Sequence, residues 1–482
     1  MTNRFLTYIV YNSGVNGEIK MIAINNKEIE SVFLERKIYQ KMLEWKKNLS
    51  KGHALFLKGS RRVGKTELAK KLGNEEYRSY LLIDFRYAPK EVKDLFSDSM
   101  ENLDFLFTQL QSFYGVVLYP GESLVILDEI QLCIEARQDI TRFVSDGRYD
   151  YCETGSLAGI HRNSKEIVTP VGEYPLEVHP LDFEEFLWAI GDHVSMPFLR
   201  SAIKCPKQPI GKAMHAKLTG LWRQYMLVGG MPKPVAGYKL YKNLEVVDFL
   251  KQEILSIYKN DFDDQNEVSS ALLHSIISAI PAELSKHDAR FVESHIAGGR
   301  YERMAPAFKW LNDAYITNMS YDVSDPSASF GLTLCEDDFK AYFVDTGLLV
   351  SLTFIGKPYI SNDLYNKILF DKIHINEGML AENIVAQCLR NAGHSLLFYS
   401  KYDEAGHPVM EIDFLGEHEE KVCPIETKSS RDYGHASLKK FKTAFSNRVG
   451  KQYILYDQDI KVDGELLYLP IYMAPILAEN LL

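Results

Sequence analysis

Apolar positions in the first third of the chain come in short unbroken runs, and each run stops at small or acidic residues. Ala54-Leu55-Phe56-Leu57, Tyr80-Leu81-Leu82-Ile83 and Leu124-Val125-Ile126-Leu127 have the length and continuity of strands buried on both faces. Glu67-Leu68-Ala69-Lys70-Lys71-Leu72 reads as a helix, and Tyr149-Asp150-Tyr151-Cys152-Glu153 as a further short strand. Strands and helices in this order predict an α/β fold with a parallel sheet. Farther on the pattern turns helical. Pro180 to Leu187 opens a helical stretch, a Lys/Pro-rich break follows at Lys204 to Pro209, and helices interrupted at Gly229-Gly230-Met231-Pro232 fill 212–261 as a lid. Three helix-sized pieces, broken at Ile280-Pro281 and Gly298-Gly299, then lead to a β-like stretch near Leu332, the order of a winged helix. The third piece, Tyr301 to Leu311, is amphipathic and basic at Arg300, Arg303 and Lys309. Such a helix either enters a DNA groove or packs against protein with its basic face in solvent.

The chemistry starts where the first apolar run ends. Gly59-Ser60-Arg61-Arg62-Val63-Gly64-Lys65-Thr66 lies between a strand and a helix, the setting in which backbone N–H groups wrap around phosphates. Glycines let the main chain approach, Lys65 reaches the β and γ phosphates, and the Thr66 hydroxyl holds Mg²⁺. The run ending in Asp128-Glu129 has the form of a Walker B strand. Asp128 then holds Mg²⁺ and Glu129 acts as general base on the attacking water. No NKxD motif of the GTPase kind follows, so the expected nucleotide is ATP. Thr154 and Ser156, closing the next strand, either contact the γ-phosphate as sensors or cap the following helix.

A second constellation lies near the C-terminus. Gly378 to Leu389 predicts a helix carrying Glu382, and Glu411 to Leu415 a strand carrying Asp413. A polar hairpin, Gly416 to Lys421, leads to the returning strand Val422 to Lys428. Alternation across that strand places Glu426 and Lys428 on one face, where Asp413 could meet them. Two carboxylates hold Mg²⁺ and a neighbouring lysine orients water toward a phosphodiester. Helical Glu382, strand Asp413, hairpin and Glu-x-Lys are the order of the PD-(D/E)xK nucleases.

Composition narrows the partners. The 482 residues give room for about two to four domains, and 46% apolar with 25% charged residues is ordinary for a globular protein. A net charge of −10 leaves no basic footprint on the chain as a whole, so DNA or RNA contact requires a local patch. Lys428, Arg431, Lys439, Lys440, Lys442, Arg448 and Lys451, with Asp432 as the one acid among them, form such a patch or the exposed side of a helix. The six cysteines show neither a CxxC pair nor zinc-like spacing, which suits buried thiols in a reducing cytoplasm. No apolar run is long enough to span a bilayer, and Phe5 to Tyr11 lacks a cleavage site, so a cytoplasmic protein without membrane contact is expected. Met21 precedes Ile22-Ala23-Ile24, which marks the preceding residues as a dispensable extension or a mis-assigned start.

From about Arg36 onward the chain resembles prokaryotic AAA-type ATPases that end in the domain of unknown function numbered 4143, relatives of the archaeal ATPase group. The resemblance rests on the phosphate loop, LDEIQ at Leu127 to Gln131, TGS at Thr154 to Ser156, PLDFEEFL at Pro180 to Leu187, GGMP at Gly229 to Pro232 and FVDTGLL at Phe343 to Leu349, and on LAENIVAQ, EIDF and IETKSS near the C-terminus. It implies an AAA-type ATPase core, a winged-helix module and a PD-(D/E)xK nuclease-like α/β domain; with the helical lid read above, the chain divides into core 30–195, lid 196–262, winged-helix-like module 263–345 and nuclease-like domain 370–482. It also implies ATP and Mg²⁺ at Lys65, Thr66, Asp128 and Glu129, with nuclease-like positions at Glu382, Asp413, Glu426 and Lys428. Arg137, Arg142 and Arg148 are candidates for an arginine finger, and a homo-oligomer or protein partner is the other source of one. Two functions follow: an ATPase coupled to a nucleic-acid-directed, metal-dependent nuclease-like domain, or a nucleotide-dependent signalling switch whose C-terminal domain docks a protein or nucleic acid.

Overall fold

The computed structural model describes residues 7–13, 19–98, 102–155, 172–265, 268–286, 301–326, 330, 333–354, 362, 377–405, 407–428 and 434–481. Thr7–Ser13 (β1) and Ile19–Asn25 (β2) pair as an antiparallel hairpin. Ala54–Lys58 (β3), Ser79–Asp84 (β4), Ser123–Asp128 (β5), Asp150–Gly155 (β6) and Glu173–Glu177 (β7) form a parallel sheet in the order β4-β5-β6-β3-β7. β5 and β6 are buried at every position, because apolar layers cover both faces. Phe56, Ile83, Val125, Leu127 and Tyr151 point into one layer. Leu55, Leu57, Leu124, Ile126 and Cys152 point into the other, as the two-residue strand period requires. The helix Lys65–Glu76 (α1) follows β3 directly, after Gly64 at φ 99°, a conformation that a side chain would strain.

The middle of the chain is helical. Phe183–Ile190 (α2) starts at a capping box formed by Asp182 and Glu185. Lys212–Val228 (α3) stops at the glycine pair, and Pro232–Tyr241 (α4) begins with a proline in its first turn, where no N–H is needed. Leu244–Asp264 (α5), Ser270–Leu284 (α6) and Tyr301–Asp313 (α7) complete this part. The sequence predicts a break at Ile280-Pro281, yet α6 continues to Leu284. Pro281 sits in the last turn, with buried Ile280 and Leu284 on either side of it. Among the described residues no helix is long and apolar enough to cross a membrane.

Thr317–Val323 (β8) and Leu334–Phe343 (β9) pair as an antiparallel hairpin, and Thr346–Thr353 (α8) and Glu377–Asn391 (α9) follow. Leu396–Tyr402 (β10) runs parallel to β8 and antiparallel to Pro408–Ile412 (β11). The hairpin at the place of the expected wing is thus part of the C-terminal sheet. Phe414–His418 (β12) turns through Glu419 and Glu420, both at positive φ, into Lys421–Thr427 (β13), the geometry of a two-residue hairpin turn. Ala436–Ala444 (α10), Gln452–Tyr456 (β14), Lys461–Asp463 (β15), Leu466–Pro470 (β16) and Ala474–Asn480 (α11) close the chain. Only Asp413 separates β11 from β12, so the sheets β11-β10-β8-β9 and β12-β13-β14-β16-β15 meet at that residue. One apolar core runs from Leu181 and Phe183 through α3 and α5 to Leu477 and Leu481. Trp222, packed edge-on against Phe183 at 4.9 Å, is among its largest members, and each such burial contributes about 1.5–3 kcal/mol.

Candidate functional site

The phosphate loop is held open by backbone that only glycine tolerates. A Cβ on Gly59 would lie 2.3 Å from the Val178 carbonyl oxygen. Lys65 is buried, and its ammonium donates to the carbonyls of Gly59 and Ser60 at 2.9 Å each. Burial holds it below its usual range, against the pull of Glu129 and Asp128. The loop is gripped from outside as well. Arg36 donates to the Val63 and His179 carbonyls at 3.2 and 2.6 Å and pairs with Glu185 at 3.3 Å. From α5, Tyr258 donates to the Arg61 carbonyl at 3.2 Å and Asp261 pairs with the Arg61 guanidinium.

Asp128 ends β5 with no exposure. Its Oδ1 accepts from the Thr66 hydroxyl at 2.8 Å and from the Thr154 hydroxyl. The Thr154 oxygen in turn accepts the Glu129 N–H at 3.1 Å. The Thr154 hydroxyl therefore ties the two acidic residues together, while Ser156 lies outside the described residues. Burial raises Asp128 above the usual carboxylate range despite those hydrogen bonds. Glu129 stands at φ 56°, an uncommon region for a side chain. Its carboxylate is fixed by Gln131, which donates to Oε2 at 2.6 Å. A Cβ on Gly155 would approach Gln131 Oε1 to 2.7 Å, so LDEIQ and TGS interlock. A loop of N–H donors at a helix start, a buried ammonium, a hydroxyl and a strand-end carboxylate fit Mg²⁺–ATP.

The arginine nearest these carboxylates is one the sequence does not single out. Arg86, just past β4, reaches Asp128 Oδ2 and Glu129 Oε1 at 3.5 Å each while held by Asp84 at 2.8 Å. Arg137 is buried and spent on Glu173 at 3.1 Å and Glu153 at 3.8 Å. Arg148 pairs with Asp104 and with Asp146, at the opposite end of β6 from the loop.

At the other end of the molecule, Lys428 pairs with Glu426 at 2.8 Å. Glu426 Oε1 is buried without a hydrogen-bond partner. Asp413, between β11 and β12, accepts the Thr427 N–H at 2.7 Å. Glu382, on α9, accepts from the Tyr342 hydroxyl at 3.2 Å. Sequence reasoning missed Lys340, buried on β9, whose ammonium lies 2.8 Å from Glu411 and 3.9 Å from Glu382. Burial pushes Glu382 and Glu426 each up to about 7. Lys340 stays well above its usual range because Tyr342 and the surrounding acids outweigh the cost of its burial. Among the described residues no three His, Cys, Asp or Glu side chains converge closely enough to hold a metal ion.

Residues 51–187 match the family described as AAA domain, and residues 377–473 a domain of unknown function, DUF4143. The chain carries an AAA domain and a C-terminal DUF4143 domain. Residues 219–359 match another domain of unknown function, DUF8612, which takes in most of the stretch read as a lid together with the β8–β9 hairpin. Among solved structures, C. elegans PCH-2 is 12% identical over 48% of this chain and 72% of its own, with a TM-score of 0.27. Cdc6p from Pyrobaculum aerophilum is 11% identical over 73% and 99%, with a TM-score of 0.26. Likenesses this slight carry no argument. No curated protein matches the chain.

Buried polar contacts hold the middle of the chain together and tie it to the DUF4143 domain. Asp345 accepts the N–H groups of Gly230 and Leu348 at 2.6 and 2.9 Å, which docks the GGMP turn onto the start of α8. Lys251 of α5 donates to the Leu227 and Gly347 carbonyls at 2.8 and 3.0 Å. Gln387 of α9 accepts from Thr346 N–H at 2.9 Å, and Asn383 pairs with the backbone of Phe343. Glu382 is thus on the same helix as the residues that hold α8, and α8 is held to the helix that grips Arg61.

Proposed function

We propose that the protein is an ATPase whose nucleotide site governs a C-terminal domain directed at nucleic acid. The observation that carries the first half is the meeting of Thr66, Thr154 and Asp128 on one carboxylate oxygen beside Lys65. Lys65 and the loop N–H groups would hold the phosphates, and Thr66 with Asp128 would hold Mg²⁺. Bound Mg²⁺ supplies charge neutralisation at the phosphates. Glu129, fixed by Gln131, takes the proton of the attacking water. The test is ATP binding and turnover by the purified chain. Lys65→Ala is expected to abolish binding, and Glu129→Gln to bind without turnover. Equal turnover by Glu129→Gln and the wild type would overturn the assignment.

For the C-terminal half, Glu382, Asp413, Glu426 and Lys428 are the proposed centre, built around the Glu426–Lys428 pair. Lys439, Lys440, Lys442, Arg448 and Lys451 are the proposed surface for a nucleic-acid backbone. Single- and double-stranded DNA and RNA, with Mg²⁺ or Mn²⁺ and with or without ATP, are the substrates to try. Cleavage lost in Lys428→Ala supports a nuclease. The second reading, a nucleotide-dependent switch that docks a protein or nucleic acid, is favoured by Lys340, an internal cation already set between Glu382 and Glu411. Binding without cleavage under every condition supports it. A homo-oligomer or partner protein belongs to either reading.

A further inference from the structure

Asp84 and Asp128 end adjacent parallel strands as register partners. Two residues past Asp84, Arg86 folds back on it. The backbone N–H and Nε of Arg86 donate to Asp84 Oδ1 at 3.0 and 3.1 Å, and Nη2 donates to Oδ2 at 2.8 Å. This two-pronged grip fixes the plane of the guanidinium. The same Nη2 lies 3.5 Å from Asp128 Oδ2, and Nη1 lies 3.5 Å from Glu129 Oε1, at ion-pair distance. Lys65 meanwhile turns to the Gly59 and Ser60 carbonyls. The two carboxylates assigned to metal and water therefore face an internal cation that the chain itself supplies.

We propose that Arg86 is a positioning residue, a tethered counter-ion that Mg²⁺ must displace from Asp128, and that it thereby sets the Mg²⁺ dependence of nucleotide binding. The proposal rests on the ATP-binding reading above. Two consequences run in opposite directions. With Arg86 in place, metal-free ATP meets acids whose charge one guanidinium partly offsets. With Arg86 removed, ATP alone meets two uncompensated carboxylates, while Mg²⁺ meets no competitor for Asp128. Removing a unit positive charge from the cleft should weaken metal-free affinity by about tenfold or more.

The experiment is fluorescent-ATP binding to the full chain, first in a chelator and then across a Mg²⁺ titration, for wild type, Arg86→Ala, Arg86→Lys and Asp84→Asn. Arg86→Ala is expected to bind about tenfold more weakly in chelator yet to reach half-saturation at a Mg²⁺ concentration several-fold lower than wild type. Arg86→Lys, which keeps the charge and loses the fork, should retain most of the metal-free affinity. Asp84→Asn, which leaves the guanidinium only Asp128 and Glu129 as ionic partners, should raise the Mg²⁺ midpoint, opposite to Arg86→Ala. A structural defect would weaken both measurements together, and that result, or no change in either, overturns the proposal. Failure of the wild type to bind ATP under any condition overturns the nucleotide reading as well.

Discussion

Lys340 on β9 reaches over the ring of Phe398 on β10 to meet Glu411 on β11 at 2.8 Å. That pair binds the β8–β9 hairpin to the strand leading to Asp413, so the hairpin is part of the wall of the C-terminal cluster. Removing one partner of a buried ion pair leaves the other charge uncompensated. Lys340→Met should therefore destabilise the chain by roughly 3–5 kcal/mol. Lys340→Met with Glu411→Gln should recover part of that loss. Denaturant unfolding of Lys340→Met, Glu411→Gln and the double variant measures both, and full additivity of the two changes would show that the pair is not coupled.

Gly155 touches the chemistry only through Gln131. A methyl group there would meet Gln131 Oε1 at 2.7 Å and drive the amide away from Glu129. Gly155→Ala should lower ATP turnover by about ten- to a hundredfold, since small displacements of a catalytic group cost that much. Nucleotide affinity should stay near wild type. Affinity lost in parallel with turnover would place the defect in the phosphate loop instead.

Glu382 and Glu426 make the C-terminal part sensitive to pH. Each is raised by burial from 4.5 to about 7, so the folded chain holds protons there that the unfolded chain has released. Between about pH 4.5 and pH 7 this contribution to stability falls as pH rises, and it levels off above. Neutral glutamine removes the effect. The stability gained by Glu382→Gln or Glu426→Gln over wild type should be larger at pH 8 than at pH 5, as roughly placed by the same linkage. Chemical denaturation across that range checks the sign, and a difference that stays constant with pH would rule it out.

Asp345 couples the GGMP turn to α8. Asp345→Ala strands the N–H groups of Gly230 and Leu348 in a buried position, at about 1–3 kcal/mol each. The loss should appear in hydrogen exchange as faster opening at both Gly230 and Leu348. Exchange accelerated at only one of them would show that the carboxylate does not join the two segments.

Local pattern carried much of this protein's description. The apolar runs of β3, β4 and β5 are legible because a strand covered on both faces needs unbroken apolar sequence. The phosphate loop is legible because its glycines answer to backbone geometry a few residues long. The capping box before α2 and the proline-led start of α4 are likewise decided by groups within one helical turn. Glu426 near the end of β13 and Lys428 just past it, two apart in extended sequence, were expected on one face.

Contacts between distant segments were decided only in three dimensions. The parallel pairing of β8 with β10 leaves no mark at either strand, so hairpin and C-terminal sheet read as separate modules. Lys340 looks like any lysine of an exposed strand until Glu411 and Glu382 close around it. Arg86 and Arg137 are indistinguishable in composition, yet one folds back onto the strand ends that carry Asp84 and Asp128 and the other is sealed between Glu153 and Glu173. The physical reason is the same in each case. Hydrogen bonding and side-chain periodicity along one element are fixed by neighbours in the chain, whereas the environment of a buried charge is set by segments that only packing brings together.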